Sequence, residues 1–174
     1  MALETLRPNA AGDSSAHIAV GDSPNYACVD EASADDETTY VKLDASTGSS
    51  DDLYNLPASA IGAGDTINSV TLKVRARRNV VGPSTINFLW RENSTTTAGG
   101  TMSLTGSYGD FSEVKTVRPS DSAAWTLTDL NALQVGIRGS TGALHHYRVT
   151  QVYVEVDYTV AGVSKFLTLL GVGQ

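Results

Sequence analysis

The sequence has little of several features that usually identify a class of protein. Cys28 is the single cysteine among 174 residues, so the chain has no internal disulfide. No apolar run approaches the roughly 20 residues that a membrane-spanning helix needs, and the N-terminal segment lacks the apolar stretch of a secretory signal. We therefore expect a protein that is made and folded in a cytoplasm and that has no membrane partner.

Positive charge is also scarce. The chain has 12 Lys and Arg against 19 Asp and Glu, a formal net charge of −7, which disfavours binding to a phosphate backbone. In the one basic cluster, "KVRARR", alternation places Lys73, Arg75 and Arg77 on the exposed face of a strand. There they would pair with acidic residues across the sheet, such as Glu155 and Asp157. We expect no nucleic-acid partner.

What the sequence does have is short segments with a period of two, which is typical of antiparallel strands half-buried on a core. The strongest are "INSVTLKVRARR", "LQVGIRG" and "VTQVYVEVDYTV". Their core-facing residues are predicted to be Val70, Leu72, Val74, Ala76, Leu133, Val135, Ile137, Val152, Val154, Val156 and Tyr158. Weaker strands are predicted from Tyr26, Thr38, Ser84, Thr101 and Ser112, with turns at "STGSSDD" and "TTTAGG". One helical turn is predicted at "TLTDLNAL", capped by Thr128.

This pattern predicts an all-β protein, an antiparallel β-sandwich of the jelly-roll kind. Composition divides the chain into three parts. Residues 1–25, rich in small residues and proline, are expected to form an extended N-terminal arm. Residues 26–160 are expected to form the β-sandwich domain, and residues 161–174 an apolar C-terminal tail.

No arrangement of residues indicates catalysis. The sequence has neither a G-x-S-x-G turn nor an H-E-x-x-H pair, and 174 residues leave little room for the cleft of a paired-carboxylate glycosidase. His145 and His146 are adjacent and would point to opposite faces of a strand, which disfavours a zinc site that also uses His17 and Cys28. We predict no enzymatic activity, no catalytic residue and no cofactor.

Two kinds of binding site remain as alternatives. Loop carboxylates could bind Ca²⁺, although their spacing matches no EF-hand: Asp30, Glu31, Asp35, Asp36 and Glu37, with Asp51 and Asp52 further on. Aromatic rings could form a platform for sugars: Trp90, Trp125, Tyr26, Tyr54 and Tyr108. The simpler interpretation is that the acids are solvated loop residues and that the rings belong to the core or its corners.

The C-terminal segment "AGVSKFLTLLGVGQ" places apolar side chains beyond the last predicted strand. A helix would align Val163, Phe166, Leu167 and Leu170, whereas a strand would place Leu167 and Leu169 on one side. Burying four such side chains stabilises by roughly 6–12 kcal/mol before ordering costs. We predict that these residues dock on another subunit or partner, with docking on the chain's own sheet as the alternative.

Five stretches, taken in order, carry a resemblance to a known family: "LRPNAAGDSS", "YACVDEASADDETTYV", "DDLYNLP", "AWTLTDLNALQVGIRG" and "RVTQVYVEVDY". Together they resemble a β-sandwich domain of structural proteins from tailed bacteriophages and related prophages. The resemblance covers Leu6 to Tyr158, and its motifs are structural rather than catalytic.

The resemblance implies a non-enzymatic virion protein made in the cytoplasm of a bacterial host. It favours a capsid decoration or cement protein, a homo-oligomer with a trimer as the favoured state, that binds the major capsid protein or another virion protein and stabilises the shell. Arm and tail surface would be buried at joints between capsid subunits. The alternative is a glycan- or receptor-binding module of a phage head or tail fibre. A third interpretation is a cellular carbohydrate-binding domain taken from a larger enzyme.

Overall fold

The computed structural model describes residues 1–43, 50–79, 84–139 and 146–162. The strands are β1 Ala2–Leu6, β2 Ala10–Ser15, β3 Ile18–Val20, β4 Tyr40–Leu43, β5 Ser50–Asn55, β6 Thr66–Arg78, β7 Thr85–Glu92, β8 Thr95–Ser103, β9 Gly109–Lys115, β10 Gln134–Gly139 and β11 Tyr147–Thr159. A short helix, α1 Leu127–Asn131, and a 3-10 helix at Asn25–Cys28 complete the elements. Within these ranges, no helix is long and apolar enough to cross a membrane.

The strands form two antiparallel sheets. The six-stranded sheet has the order β3-β4-β11-β6-β9, and β1 also pairs with β11. β4 and β1 share one edge of β11 because they pair with different halves of this long strand. The five-stranded sheet has the order β2-β5-β10-β7-β8. Two antiparallel sheets around one core confirm the predicted all-β, jelly-roll-like sandwich.

The two longest strands follow the predicted alternation. β6 and β11 have 13 residues each and pair along most of their length in the middle of the six-stranded sheet. The four core-facing side chains expected in β6 are at most 2% exposed. Val152, Val154 and Val156 of β11 are fully buried. Removing each such side chain from water stabilises the fold by about 1.5–3 kcal/mol, so these strands supply much of the core.

Residues 1–25 differ from the expected extended arm. They form β1, β2 and β3, which pair with β11, β5 and β4, so this segment belongs to both sheets. The strand signal is weak because these strands are short, peripheral and rich in small residues. Between Ala11 and Ser15, β2 bulges opposite Leu53. Gly12 is suited to this bulge because a Cβ there would lie 2.7 Å from the backbone of β5.

Four other local predictions are corrected by the structure. The segment "YACVDE", predicted as a strand, begins within the 3-10 helix Asn25–Cys28. The segment "TTTAGG", predicted as a turn, is the first part of β8, because its threonines favour strands and β7 pairs with it. The last residues of "STGSSDD" belong to β5. The cap of α1 is Thr126 rather than Thr128, and its side chain accepts a hydrogen bond from the backbone N–H of Asp129.

Candidate binding groove

The outer face of the six-stranded sheet carries polar side chains in register across three neighbouring strands. Because β11, β6 and β9 are adjacent, their outward residues line up in rows across the sheet. One row contains Tyr153, Lys73 and Ser112. The next row contains Gln151, Arg75 and Asp110.

A groove of about 280 Å³ lies between these two rows. The six residues of the rows form its walls, and Val74 and Phe111 complete the lining. The lining thus combines two aromatic residues, Tyr153 and Phe111, with several hydrogen-bond donors and acceptors. This composition suits a polar ligand that also has an apolar face.

Tyr153 is the aromatic side chain of the outward rows. It is half-buried, on the outward phase of β11 between two buried valines. The guanidinium carbon of Arg7 lies 4.7 Å from its ring centroid. Arg7 donates to the backbone oxygen of Glu31 at 2.6 Å, and Gln151 donates to the same oxygen at 2.7 Å. These contacts hold Arg7 beside the ring without using a carboxylate.

The basic side chains of β6 lie on the outer face of the six-stranded sheet as predicted, and one of the expected ion pairs is confirmed. Lys73 Nζ lies 3.3 Å from a carboxylate oxygen of Glu155 on the neighbouring strand. Asp157, expected to play a similar part, instead accepts a hydrogen bond from Asn68 Nδ2 at 3.2 Å. The Lys73 contact is half-exposed, so it contributes less than about 1 kcal/mol.

Arg75 is the most firmly held side chain of the groove. Its guanidinium donates to both carboxylate oxygens of Asp36, at 2.7 and 2.9 Å, and to Asp110 at 3.0 Å. The hydrogen bonds that Asp36 accepts raise the pKa of Arg75, and the same contact lowers the pKa of the Asp36 carboxyl. Arg75 therefore ties the 30–39 loop to the sheet beside the groove.

The acidic loop considered for Ca²⁺ uses its carboxylates in other contacts. Glu37 pairs with both Arg77 and Arg148 on the sheet face, and Asp35 accepts hydrogen bonds from Thr39 and Thr150. The described ranges contain no group of three or more Asp, Glu, His or Cys residues that could hold a metal ion. The loop is thus fastened by arginines that the fold brings to it.

The five aromatic residues considered as a sugar platform do not form one. Trp90, Trp125 and Tyr54 are at most 5% exposed, as expected for core residues. Tyr26 packs against the core, and Tyr108 lies against two arginine side chains. Tyr153, the tyrosine of the groove, was not among these candidates. The sequence feature that could have identified it is its position on the outward face of a strongly alternating strand. An aromatic residue at such a position is not needed to pack the core.

A second polar cluster is enclosed between the sheets. Asp52, fully buried, accepts hydrogen bonds from the Tyr54 hydroxyl at 2.8 Å and from Asn25 Nδ2 at 2.9 Å. His17 Nε2 is hydrogen-bonded to the Tyr147 hydroxyl, and its Nδ1 lies 3.8 Å from Asp52. Burial lowers the pKa of His17 to about 4 and raises that of Asp52 to about 6. At neutral pH the imidazole is therefore neutral, and the 3.8 Å contact is not an ion pair.

The remaining sequence candidates do not join either site. Cys28 is fully buried, and its Sγ donates to the backbone oxygen of Asp22 at 3.2 Å. His146 immediately precedes β11, and His145 is outside the described residues. The tail residues predicted to dock on a partner also lie outside them: Val163, Phe166, Leu167, Leu169 and Leu170. Their docking stays a prediction.

No protein-family model matches the sequence, and no curated protein sequence matches it. Solved structures do match. The CBM22-1 xylan-binding domain of Xyn10C from Paenibacillus barcinonensis has a TM-score of 0.50 and 9% identity, over 87% of this chain and 86% of that one. The CBM6cm-2 module of lichenase 5A from Cellvibrio mixtus, in complex with cellotriose, has a TM-score of 0.44 and 11% identity, over 91% and 99%.

A third match is longer than this chain. The CBM22-1-GH10 modules of Xyn10B from Clostridium thermocellum match with a TM-score of 0.49 and 10% identity, over 75% of this chain but only 24% of that one. At such identities the likeness concerns the fold alone. The chain is a jelly-roll-like β-sandwich of the kind found in carbohydrate-binding modules.

Proposed function

We propose that this chain is a non-catalytic glycan-binding module that holds a sugar chain in the groove between the two rows. The observation that carries the proposal is Tyr153, set in an open groove among hydrogen-bonding side chains. A sugar ring has an apolar face of C–H groups and a rim of hydroxyls. An aromatic ring complements the face, and amide, hydroxyl and charged groups complement the rim.

The direction of the groove also fits a linear ligand. It crosses the strands from β11 over β6 to β9, and three strands span about 10 Å at the usual spacing. A short stretch of an unbranched glycan would therefore contact all three strands. A xylan-binding domain has the same fold, which makes linear polysaccharides a sensible first set of probes.

We place this module on the head or tail fibre of a phage, because of the resemblance of the sequence motifs to phage structural domains. Capsid decoration is the second candidate. The observation for it is a set of exposed apolar residues near the pairing of β1 with the end of β11: Met1, Leu3 and Val160 are 96%, 64% and 60% exposed. An exposed apolar patch favours contact with another protein. If the protein decorates a capsid, stripping it from purified particles should lower their thermal and osmotic stability.

The Tyr153→Ala variant tests the glycan-binding proposal. Affinity electrophoresis against a panel of soluble polysaccharides, followed by calorimetry with hexasaccharides, should show saturable binding by the full chain. The variant should lose at least about tenfold in affinity, which corresponds to about 1.4 kcal/mol. Val114→Ala is the matched control, since Val114 is exposed on the same outer face of the sheet as Tyr153 but does not line the groove.

Two outcomes would contradict the proposal. If the full chain binds none of the panel, the glycan-binding function fails. If it binds a glycan and the Tyr153→Ala and Val114→Ala variants bind equally well, the groove is not the site. Melting temperatures of both variants, compared with that of the unmodified chain, show whether any loss reflects unfolding.

A further inference from the structure

We propose that the groove selects acidic glycans, and that Arg7 and Lys73 bind the carboxylate of a uronic acid unit placed at Tyr153. This inference rests on the proposed glycan-binding function and deepens it by naming the class of ligand. Three observations carry it: the contacts of Arg7, the partly exposed charge of Lys73, and the carboxylate pairing of the other cations around the groove.

Arg7 differs from most arginines of the described chain. Six of them are paired with carboxylates: Arg75, Arg77, Arg91, Arg118, Arg138 and Arg148. Arg7 makes its contacts with two backbone oxygens, of Glu31 and Ala32, and with the ring of Tyr153. Its charge is thus held in place by neutral groups and is not neutralised by a protein carboxylate within the described ranges.

Lys73 brings a second cation to the same ring. It is the cross-strand partner of Tyr153, so the two side chains are neighbours on the outer face. Its side chain is 32% exposed, and its Nζ lies 3.3 Å from a carboxylate oxygen of Glu155, which is longer than a close charge-assisted hydrogen bond. A ligand carboxylate would therefore compete for Lys73 with a loose and partly solvated partner.

The charges around the groove are paired except for that of Arg7. Lys73 and Arg75 line the groove together with Asp110, and each also has a carboxylate partner beside it: Glu155 lies 3.3 Å from Lys73, and Asp36 accepts two hydrogen bonds from Arg75. Arg7 lies beside the lining and has no carboxylate partner among the described residues. Opposite charges attract most strongly in a cleft that is partly shielded from water. An unpaired cation beside the aromatic ring therefore points to an anionic ligand.

The geometry of the groups favours a carboxylate on a sugar ring. A guanidinium is planar and matches a carboxylate with two parallel hydrogen bonds. Arg7 is held against the aromatic ring on which the sugar would stack, so a carboxylate attached to that sugar lies within its reach. A neutral glycan would stack on Tyr153 but would leave the charge of Arg7 unused.

The experiment compares two hexasaccharides of equal length, oligogalacturonate and cellohexaose, by calorimetry with the full chain. At 20 mM NaCl the acidic ligand should bind at least about tenfold more tightly, and the preference should shrink at 300 mM because salt screens the charges. Arg7→Gln should reduce the ratio of the two affinities to below about threefold, and Arg7→Lys should restore part of it. Arg91→Gln, on the five-stranded sheet, should leave the ratio unchanged.

The outcomes separate this inference from the proposed function. Equal affinity for the two ligands, or an unchanged ratio in Arg7→Gln, overturns the inference while the glycan-binding function stands. If neither ligand binds and the wider panel also fails, the function itself fails. If Arg7→Gln does not fold, Lys73→Gln tests the same ratio, because the ion pair that Lys73 makes is with a partly exposed carboxylate on the sheet surface, so its loss should leave the fold intact.

Discussion

The Asp52→Asn variant should be destabilised to a degree that depends strongly on pH. Asp52 and His17 are buried side by side with pKa values shifted in opposite directions. Burial raises the pKa of Asp52 from 3.8 to about 6, and it lowers that of His17 from 6.5 to about 4. The Asp52 contribution to stability is therefore complete below pH 3.8 and is lost as the pH rises through 6. The His17 contribution is complete above pH 6.5 and is lost as the pH falls through 4.

The size of the effect follows from the two shifts. One pKa unit corresponds to about 1.4 kcal/mol, so each shift is worth about 3 kcal/mol over its window. Between about pH 4 and 6 the two slopes are opposite and nearly cancel in the unmodified chain. The destabilisation of Asp52→Asn should be largest near pH 4 and about 3 kcal/mol smaller at pH 6.5. That of His17→Gln should run the other way and be about 3 kcal/mol larger at pH 6.5 than at pH 4.

Urea unfolding followed by tryptophan fluorescence measures both variants, since Trp90 and Trp125 are buried. The free energy of unfolding is taken at several pH values from 4 to 7.5. Each variant is compared with the unmodified chain at the same pH, so that titration of the other carboxylates cancels. If both differences are flat across this range, Asp52 and His17 titrate alike in the folded and unfolded chain. The burial argument for this cluster would then be wrong.

Three further substitutions test the packing between the sheets and within them. Gly136→Ala should lower stability by at least about 3 kcal/mol, because its Cβ would lie 1.8 Å from a backbone oxygen of β5. Gly106→Ala, with nothing within 4 Å, should change it by less than about 0.5 kcal/mol. Glu113→Ala should cost about 2–3 kcal/mol, since it leaves Trp90 Nε1 and the Gly100 N–H without their acceptor. Urea unfolding checks all three, and equal stabilities for the two glycine variants would contradict the steric argument.

The parts of the fold that the sequence predicted are those governed by local periodicity. The alternation in β6 and β11 correctly separates core from surface, because a half-buried strand must place every second residue in the core. The strands β1 to β3 escaped prediction because they have few β-branched residues and gain their stability from pairing with distant strands. The threonine-rich segment Thr95–Gly100 is likewise part of β8 because it pairs with β7.

The groove could not be predicted in the same way, because it depends on register. The outward phase of Lys73 and Arg75 is readable from alternation, but their alignment with Tyr153 and Ser112 follows from which strands are neighbours. Alternation within a strand contains no information about strand order. The same limit applies to the 30–39 loop. Its carboxylates looked solvated in sequence, whereas Asp36 meets Arg75 only after folding.

Arg75 shows where folding and ligand binding are coupled in this molecule. Its guanidinium lines the groove and also holds Asp36 and Asp110, so replacing it would release the 30–39 loop as well as remove a ligand contact. A loss of binding in an Arg75 variant would therefore have two explanations. Tyr153 and Ser112 hold no loop in this way: Arg7 lies against the ring of Tyr153, and Ser112 is exposed on β9. Loss of binding at these two positions with unchanged stability would report on the ligand alone, so the decisive variants lie on β11 and β9.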